Sequence, residues 1–345
     1  MDTFARLPLV DLGRLAAHSA ERRRLALACR DWGMFELIGH GIPAPLSALL
    51  QTRIREFFAE PQAAKRLIER TRDNPWGYFD RELTKNRRDW KEIYDVGPPG
   101  TGALAASRPQ WPGGLPAFRT AVEAYIQACE RVAVTLLGEI ARTLGAAPEV
   151  FTRHFGASHT SFLRLNHYPR CGDPAAAHDA ALHPQGQLGI HAHTDAGALT
   201  LLLQDGQPGL QTYHEGRWRL VPARRGAMVV NLGDIVQVWS NDHYRAPPHR
   251  VLTNRDRARY TAAYFLNPVA TCTYAPLPTM VSASTPPRYR PIHWGEFRRA
   301  RADGDYADLG EEIQISHFAI GRPAPIQVRR RPVRPRGDSH EKVCD

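Results

Sequence analysis

His193 and Asp195, separated by a single residue, lie in the stretch Leu188-Gly-Ile-His-Ala-His-Thr-Asp-Ala-Gly-Ala-Leu-Thr200. Of the 15 histidines, only His193 is followed two places later by a carboxylate. On a strand, side chains at i and i+2 face the same way. One neutral imidazole and one carboxylate can therefore grip a metal ion from one side. A second imidazole would complete a two-His-one-carboxylate set. That set suits Fe(II) and leaves adjacent positions open, as O2 and a co-substrate on the same iron would require.

The second imidazole must come from a distant part of the chain. Downstream candidates are His214, His243, His249, His293 and His317. His214 and His243 sit in turn-like contexts. His249 opens the run His249-Arg-Val-Leu252, a strand able to lie beside the first, so the ligand set is read as His193, Asp195 and His249. His191 shares the strand face of His193 and offers a cupin-like His-x-His pair. A cupin would add a glutamate a few residues on, and here the next one is Glu215. His191 is therefore read as pocket lining or as support for the ligands.

A second constellation follows. Arg259 and Thr261 share one face of a strand by the period of two. A guanidinium gives a two-pronged grip on a carboxylate, and a hydroxyl beside it adds a third hydrogen bond. Such a pair could hold the far carboxylate of a dicarboxylic acid whose other end chelates the metal.

The elements that carry these residues are mostly strands. Residues 161–169 alternate, with Arg164, Asn166 and Tyr168 on one face. Short strands are expected over 191–194, 199–204, 210–213, 218–221, 227–232, 249–252 and 259–266, with Gly, Asp, Asn and Pro turns between them. His214-Glu-Gly-Arg217 is a hairpin turn candidate. This spacing predicts a sandwich or barrel, not alternating βαβ units.

Residues 1–150 read as an α/β accessory region. A strand is expected over 7–11, a helix over 20–31 and a buried strand over 32–38. The last ends in Gly39-His-Gly-Ile-Pro43, where His40 reads as structural. Helices are expected over 44–58 and 61–69, extended pieces over 76–79 and 89–96, and a loop or lid over 98–116. Residues 117–145 form the longest helical pattern, with an apolar stripe suited to backing a sheet and Gly145 suited to its end. Residues 151–322 make the core, closing with a helix and a docking segment between 292 and 318. From Pro323 the chain reads as a disordered Pro/Arg-rich tail.

Composition sets outer bounds. At 345 residues, with 43% hydrophobic and 23% charged, the chain reads as globular. No apolar run approaches the roughly 18 residues of a membrane span, and the first residues lack a signal-peptide pattern. A cytoplasmic location is the expectation. The five cysteines are scattered without a Cys-x-x-Cys, which argues against a disulfide framework or a thiolate zinc site. The net charge of +10 owes much to Arg329, Arg330, Arg331, Arg334 and Arg336 in the tail. A solvated tail accounts for it better than a nucleic-acid groove.

Taken together, these motifs resemble the isopenicillin N synthase-like group of 2-oxoglutarate/Fe(II) dioxygenases. The resemblance runs from Trp32–Pro43 through Asn166-His-Tyr-Pro169, Leu188–Thr200, Asn231-Leu-Gly-Asp234 and His249–Asn254 to Arg259-Tyr-Thr and Ala263–Pro268. It implies a mainly β fold, a distorted double-stranded β-helix or jelly roll with flanking helices. It implies Fe(II) on His193, Asp195 and His249. The 2-oxoglutarate C5 carboxylate would rest on Arg259 and Thr261, with Asn166 and Tyr168 near the keto-acid end. It also implies oxidation of a C–H bond by O2, with release of succinate and CO2. Hydroxylation, desaturation and ring closure are all open. The usual anchor pair is Arg-x-Ser; here the second member is Thr261, which keeps the hydroxyl and adds a methyl.

The motifs do not specify the substrate. Tyr78, Phe79, Lys91, Arg164, His191 and Phe265 are candidate pocket residues. Arg164 and Lys91 would suit an amino acid or other carboxylated small molecule, unless they form structural ion pairs. Three other functions compete: a 2-oxoglutarate-independent oxidase with the same ligands, a non-enzymatic metal-binding barrel, and an oxygenase acting on nucleic acid. Oligomeric state is not written in the sequence.

Overall fold

A computed structural model describes residues 4–100 and 107–321. The basic tail lies outside the described residues, as does part of the 98–116 loop. Among the described residues no helix is long and apolar enough to cross a membrane.

The strands expected over 199–204, 249–252 and 259–266 form over those residues, and the others differ by a few positions at their ends. They assemble into two main sheets. The larger has eight strands in the order Leu9–Asp11, Met34–Ile38, Met228–Leu232, Leu199–Gln204, Arg259–Leu266, Phe162–Tyr168, Glu92–Val96, Gly77–Phe79. The smaller has four, in the order Arg217–Leu220, Leu210–His214, His249–Leu252, Leu188–His193. Their inner faces share a cluster. Tyr168, Leu202, Val229 and Ala263 from the larger sheet pack with Leu210 and Val251 from the smaller. This is the expected mainly β double-stranded β-helix with flanking helices. Apart from the short ladder of Leu83–Thr84 with Arg87–Arg88, the strands of the 1–150 region extend both edges of the larger sheet.

The outer face of the larger sheet is covered by the helix Pro116–Thr143. Proline is tolerated at its start because a first-turn N–H has no intrahelical partner. Its stripe of Val122, Tyr125, Cys129, Leu136, Leu137 and Ile140 is fully buried. Gly145 then adopts φ +70° just beyond the helix. The helix Ala44–Ala59 packs beside it through Phe57 and Phe118, whose ring centroids lie 5.1 Å apart.

Two expectations fail locally. The helix expected over 61–69 extends only over Gln62–Arg66; the backbone at Glu69 and Arg70 instead pairs with Tyr78. Residues Asp234–Trp239 form a helix where no element is expected. Its start is fixed from outside, because the Asp234 N–H donates to the Asp195 carbonyl at 2.8 Å.

Candidate active site

The strands Leu188–His193 and His249–Leu252 run antiparallel with His193 directly opposite His249. That register brings together two imidazoles 56 positions apart in the sequence, with ring centroids 4.3 Å apart. Asp195 follows just past the strand end. Its Oδ1 lies 3.7 Å from His193 Nε2 and 3.5 Å from His249 Nε2. One donor atom from each of the three lies within 4.8 Å of the other two. Metal bonds of about 2.1 Å at right angles put neighbouring donors about 3 Å apart, so a small contraction would complete the set.

The surroundings aim each donor inward. His193 Nδ1 hydrogen-bonds the His191 carbonyl at 2.8 Å, and His249 Nδ1 hydrogen-bonds the Pro247 carbonyl at 3.0 Å. Each ring thus donates from Nδ1 and leaves the Nε2 lone pair for a metal. Asp195 Oδ2 accepts from Thr200 Oγ1 at 2.6 Å and from Asn231 Nδ2 at 3.3 Å, which leaves Oδ1 facing the imidazoles. Burial and the neighbouring His249 push His193 down to about 3, so it is a neutral donor at neutral pH. Burial alone would raise the Asp195 carboxyl, but His249 and His193 outweigh it and hold it well below the usual range.

The second constellation also converges. Arg259 and Thr261 are buried on the inner face of the larger sheet. Arg259 donates from Nη2 to Gln204 Oε1 at 2.9 Å and from Nε to the Gln207 carbonyl at 3.1 Å. Its Nη1 is buried without a partner. Asn166 Nδ2 donates to Thr261 Oγ1 at 3.2 Å, and Asn166 Oδ1 is likewise buried and unpaired. The Tyr168 ring lies 5.2 Å from the guanidinium carbon of Arg259. Asn166 thus stands beside Thr261, and Tyr168 beside Arg259. The pairing sets this, because Arg259 stands opposite Tyr168 and Thr261 opposite Asn166.

The pocket candidates separate. Arg164 grips Asp95 with two hydrogen bonds of 2.8 Å and also reaches Glu82 at 2.8 Å. Lys91 lies between Glu82 at 2.6 Å and Asp89 at 2.9 Å. Burial would raise the Glu82 carboxyl, but Arg164, Lys91 and Arg70 hold it well below the usual range. Arg164 and Lys91 are thus structural ion pairs and leave no charge over for an acidic substrate. Tyr78 is core, its hydroxyl donating to Glu92 at 2.7 Å. Phe79 lies under Arg70, with 4.5 Å from ring centroid to guanidinium carbon. Phe265 continues the inner row of Arg259 and Thr261. His191 is outside the donor cluster; its Nδ1 is held by Asp89 at 2.9 Å.

Sequence reasoning misses Thr200, Asn231 and Gln204 as site residues. Their signal is a polar side chain in an apolar strand, as in Leu-Thr-Leu-Leu-Leu-Gln204 and Met-Val-Val-Asn-Leu232.

Residues 159–268 match the model of the 2OG-Fe(II) oxygenase superfamily, and residues 7–114 match that of the non-haem dioxygenase in morphine synthesis N-terminal region. Gibberellin 3-beta-dioxygenase 2-2 of Triticum aestivum is 34% identical over 307 residues, covering 86% of this chain and 78% of the relative. The chain belongs to the 2OG-Fe(II) oxygenase superfamily. Jasmonate-induced oxygenase 2 of Arabidopsis thaliana is 29% identical over 324 residues, 91% of this chain and 84% of the relative. Among solved structures, JOX2 in complex with 2OG, Fe and JA superposes with a TM-score of 0.76 at 28% identity, covering 91% of this chain and 89% of that one. The rice dioxygenase for auxin oxidation, at 27% identity and a TM-score of 0.68, matches over 91% of this chain and 100% of its own. This oxygenase is accordingly a 2-oxoglutarate-dependent Fe(II) dioxygenase, with O2 as co-substrate.

Proposed function

We propose that His193, Asp195 and His249 are the Fe(II) ligands and that Arg259 and Thr261 anchor the C5 carboxylate of 2-oxoglutarate, in an enzyme of the isopenicillin N synthase-like group. The observation that carries this is the pairing of a three-donor cluster with a buried, partly unpaired guanidinium on the inner face of the same barrel. We read residues 1–150 as the accessory region and 151–322 as the catalytic core. The substrate proposed is a small molecule, an amino acid or other carboxylated metabolite; with Arg164 and Lys91 committed elsewhere, another cation must recognise its acid group.

When bound, Fe(II) supplies the redox chemistry that couples oxidative decarboxylation of 2-oxoglutarate to oxidation of a substrate C–H bond. In a hydroxylation, one atom of O2 ends in succinate and the other in the alcohol, and the C1 carbon leaves as CO2. The protein's residues position and exclude. Arg259 Nη1 and the Thr261 hydroxyl are fixed donors for the far carboxylate, so binding it requires little rearrangement. Thr200 and Asn231 fix the rotation of Asp195 and keep one oxygen available. Leu202, Leu210, Val229, Val251 and Ala263 line the barrel with apolar surface that excludes water.

Anaerobic addition of Fe(II) and 2-oxoglutarate to the full chain should produce a visible metal-to-ligand charge-transfer band. Its absence with both bound would overturn the assignment of the pocket. Screening candidate acids for stimulated succinate release would then identify the substrate.

A further inference from the structure

Beyond Thr261 the inner face of the barrel becomes aromatic. Phe265 and Phe162 stand opposite each other, with ring centroids 4.8 Å apart and planes 20° from parallel. Trp76 packs on Phe162 at 5.9 Å. Thr261 and Phe265 are four residues apart on one strand face, about 13 Å. The aromatic shelf is therefore separate from the proposed co-substrate anchor.

Arg298, from the helix Trp294–Gly304, lays its guanidinium over this shelf. The guanidinium carbon lies 5.3 Å from the Phe162 centroid and 6.0 Å from that of Trp76. Nη1 donates to the Thr160 carbonyl at 3.0 Å. Among the described residues no carboxylate lies within ion-pair distance of Arg298, and its Nε and Nη2 have no hydrogen-bond partner. Asp95, which it senses electrostatically, is taken by Arg164 and Arg70. Burial pushes the guanidinium down to about 10, outweighing the more distant Asp95 and Asp305, which favour its charge. One turn further along the helix, Arg301 Nη2 donates to the Thr194 carbonyl at 3.3 Å, between two proposed metal ligands. The helix therefore runs past the metal cluster and holds Arg298 on its flank.

Resting on the oxygenase reading of the site, we infer that Arg298 recognises the carboxylate of an amphipathic organic acid whose apolar body lies on Phe265 and Phe162. A carboxylate arriving there receives two free guanidinium donors and neutralises a partly buried charge. The rings supply apolar contact for the rest of the molecule on the inner face of the barrel. Arg298 is thus a specificity residue for substrate, as Arg259 is for co-substrate.

The test uses the full chain, loaded anaerobically with Fe(II) and saturating 2-oxoglutarate so that Arg259 is occupied. Phenyl- and cyclohexyl-alkanoates of graded length, each paired with its primary amide, are titrated by calorimetry. The best acid should bind at least about tenfold more tightly than its amide, the size of one charged hydrogen-bond pair. Arg298→Gln should bring acid and amide within about twofold, and Arg298→Lys should retain part of the preference. Equal binding of acid and amide, no binding by any acid, or a preference that survives Arg298→Gln would each overturn the inference. The 2-oxoglutarate titration is run first. Its failure would overturn the reading of the whole site, whereas normal 2-oxoglutarate binding without acid preference overturns the role of Arg298 alone.

Discussion

The Arg259→Gln substitution removes a buried positive charge but keeps a polar side chain. Arg259 is 4% exposed, two of its nitrogens are spent on Gln204 and Gln207, and Nη1 is left unpaired. Deleting one partner of a buried, hydrogen-bonded charge pair costs about 2–5 kcal/mol of binding. The Kd for 2-oxoglutarate should therefore rise about 30-fold to a few thousand-fold. The assay is anaerobic titration of the Fe(II) protein, following the charge-transfer band. 2-Oxobutanoate, which has the keto-acid end but no distal carboxylate, serves as the control. It should bind the parent and the variant alike, so the strong preference for 2-oxoglutarate should collapse. Iron affinity should not change, because Arg259 hydrogen-bonds to none of the three proposed ligands among the described residues. A change below about threefold for 2-oxoglutarate, or an equal loss for 2-oxobutanoate, would refute the anchor role.

Asp195→Ala should abolish iron binding and turnover together while leaving the circular dichroism spectrum intact; retained turnover would refute the ligand set. Arg164→Leu removes one cation from the buried Asp95 and Glu82, which keep Arg70 and, for Glu82, Lys91, and should cost about 1.5–3 kcal/mol in urea unfolding, the usual size of a lost hydrogen bond to a charged group. A loss under about 1 kcal/mol would show that the network does not hold the fold together. Burial would raise the Glu92 carboxyl, but hydrogen bonds from His167, Lys65 and Tyr78 outweigh it and hold it down to about 2, against 4.5 ordinarily. A group depressed in the fold stabilises above its unfolded pKa and loses that stabilisation as pH falls through the folded one. Glu92→Gln should thus cost about 2–3 kcal/mol at neutral pH, allowing for partial solvent screening, and the difference should shrink between pH 4.5 and 2. A pH-independent difference would assign the loss to packing.

The metal cluster is legible in the sequence because strand geometry turns a spacing of two into a shared direction. His249 can be chosen because it opens a strand while His214 and His243 sit in turn-like sequence contexts, although His214 ends the strand Leu210–His214. What the sequence does not supply is the partner of each charge. Read along the chain, Arg164 and Lys91 could be free cations or ion pairs; apart from Asp89, two residues from Lys91, their carboxylates are Glu82 and Asp95, which folding brings to them. Arg298, by contrast, sits in the run Phe-Arg-Arg-Ala-Arg301 and reads as one of several surface charges. Only the packing of its helix against Phe162 sets it apart. That Asn166 faces Thr261 and Tyr168 faces Arg259 depends on which strand they pair with, and alternation within one strand does not contain that information.

The placement of the N-terminal strands at the margins of the larger sheet has a consequence for biogenesis. Met34–Ile38 pairs with Met228–Leu232, so a growing polypeptide has made nearly 200 further residues before that partner exists. Until then the pair formed by Leu9–Asp11 and Met34–Ile38, rich in aliphatic and aromatic side chains, carries an open hydrogen-bonding edge. Such an edge is a template for pairing with other chains. The nascent oxygenase should therefore lean on chaperones while it leaves the ribosome, and should refold in vitro best when dilute.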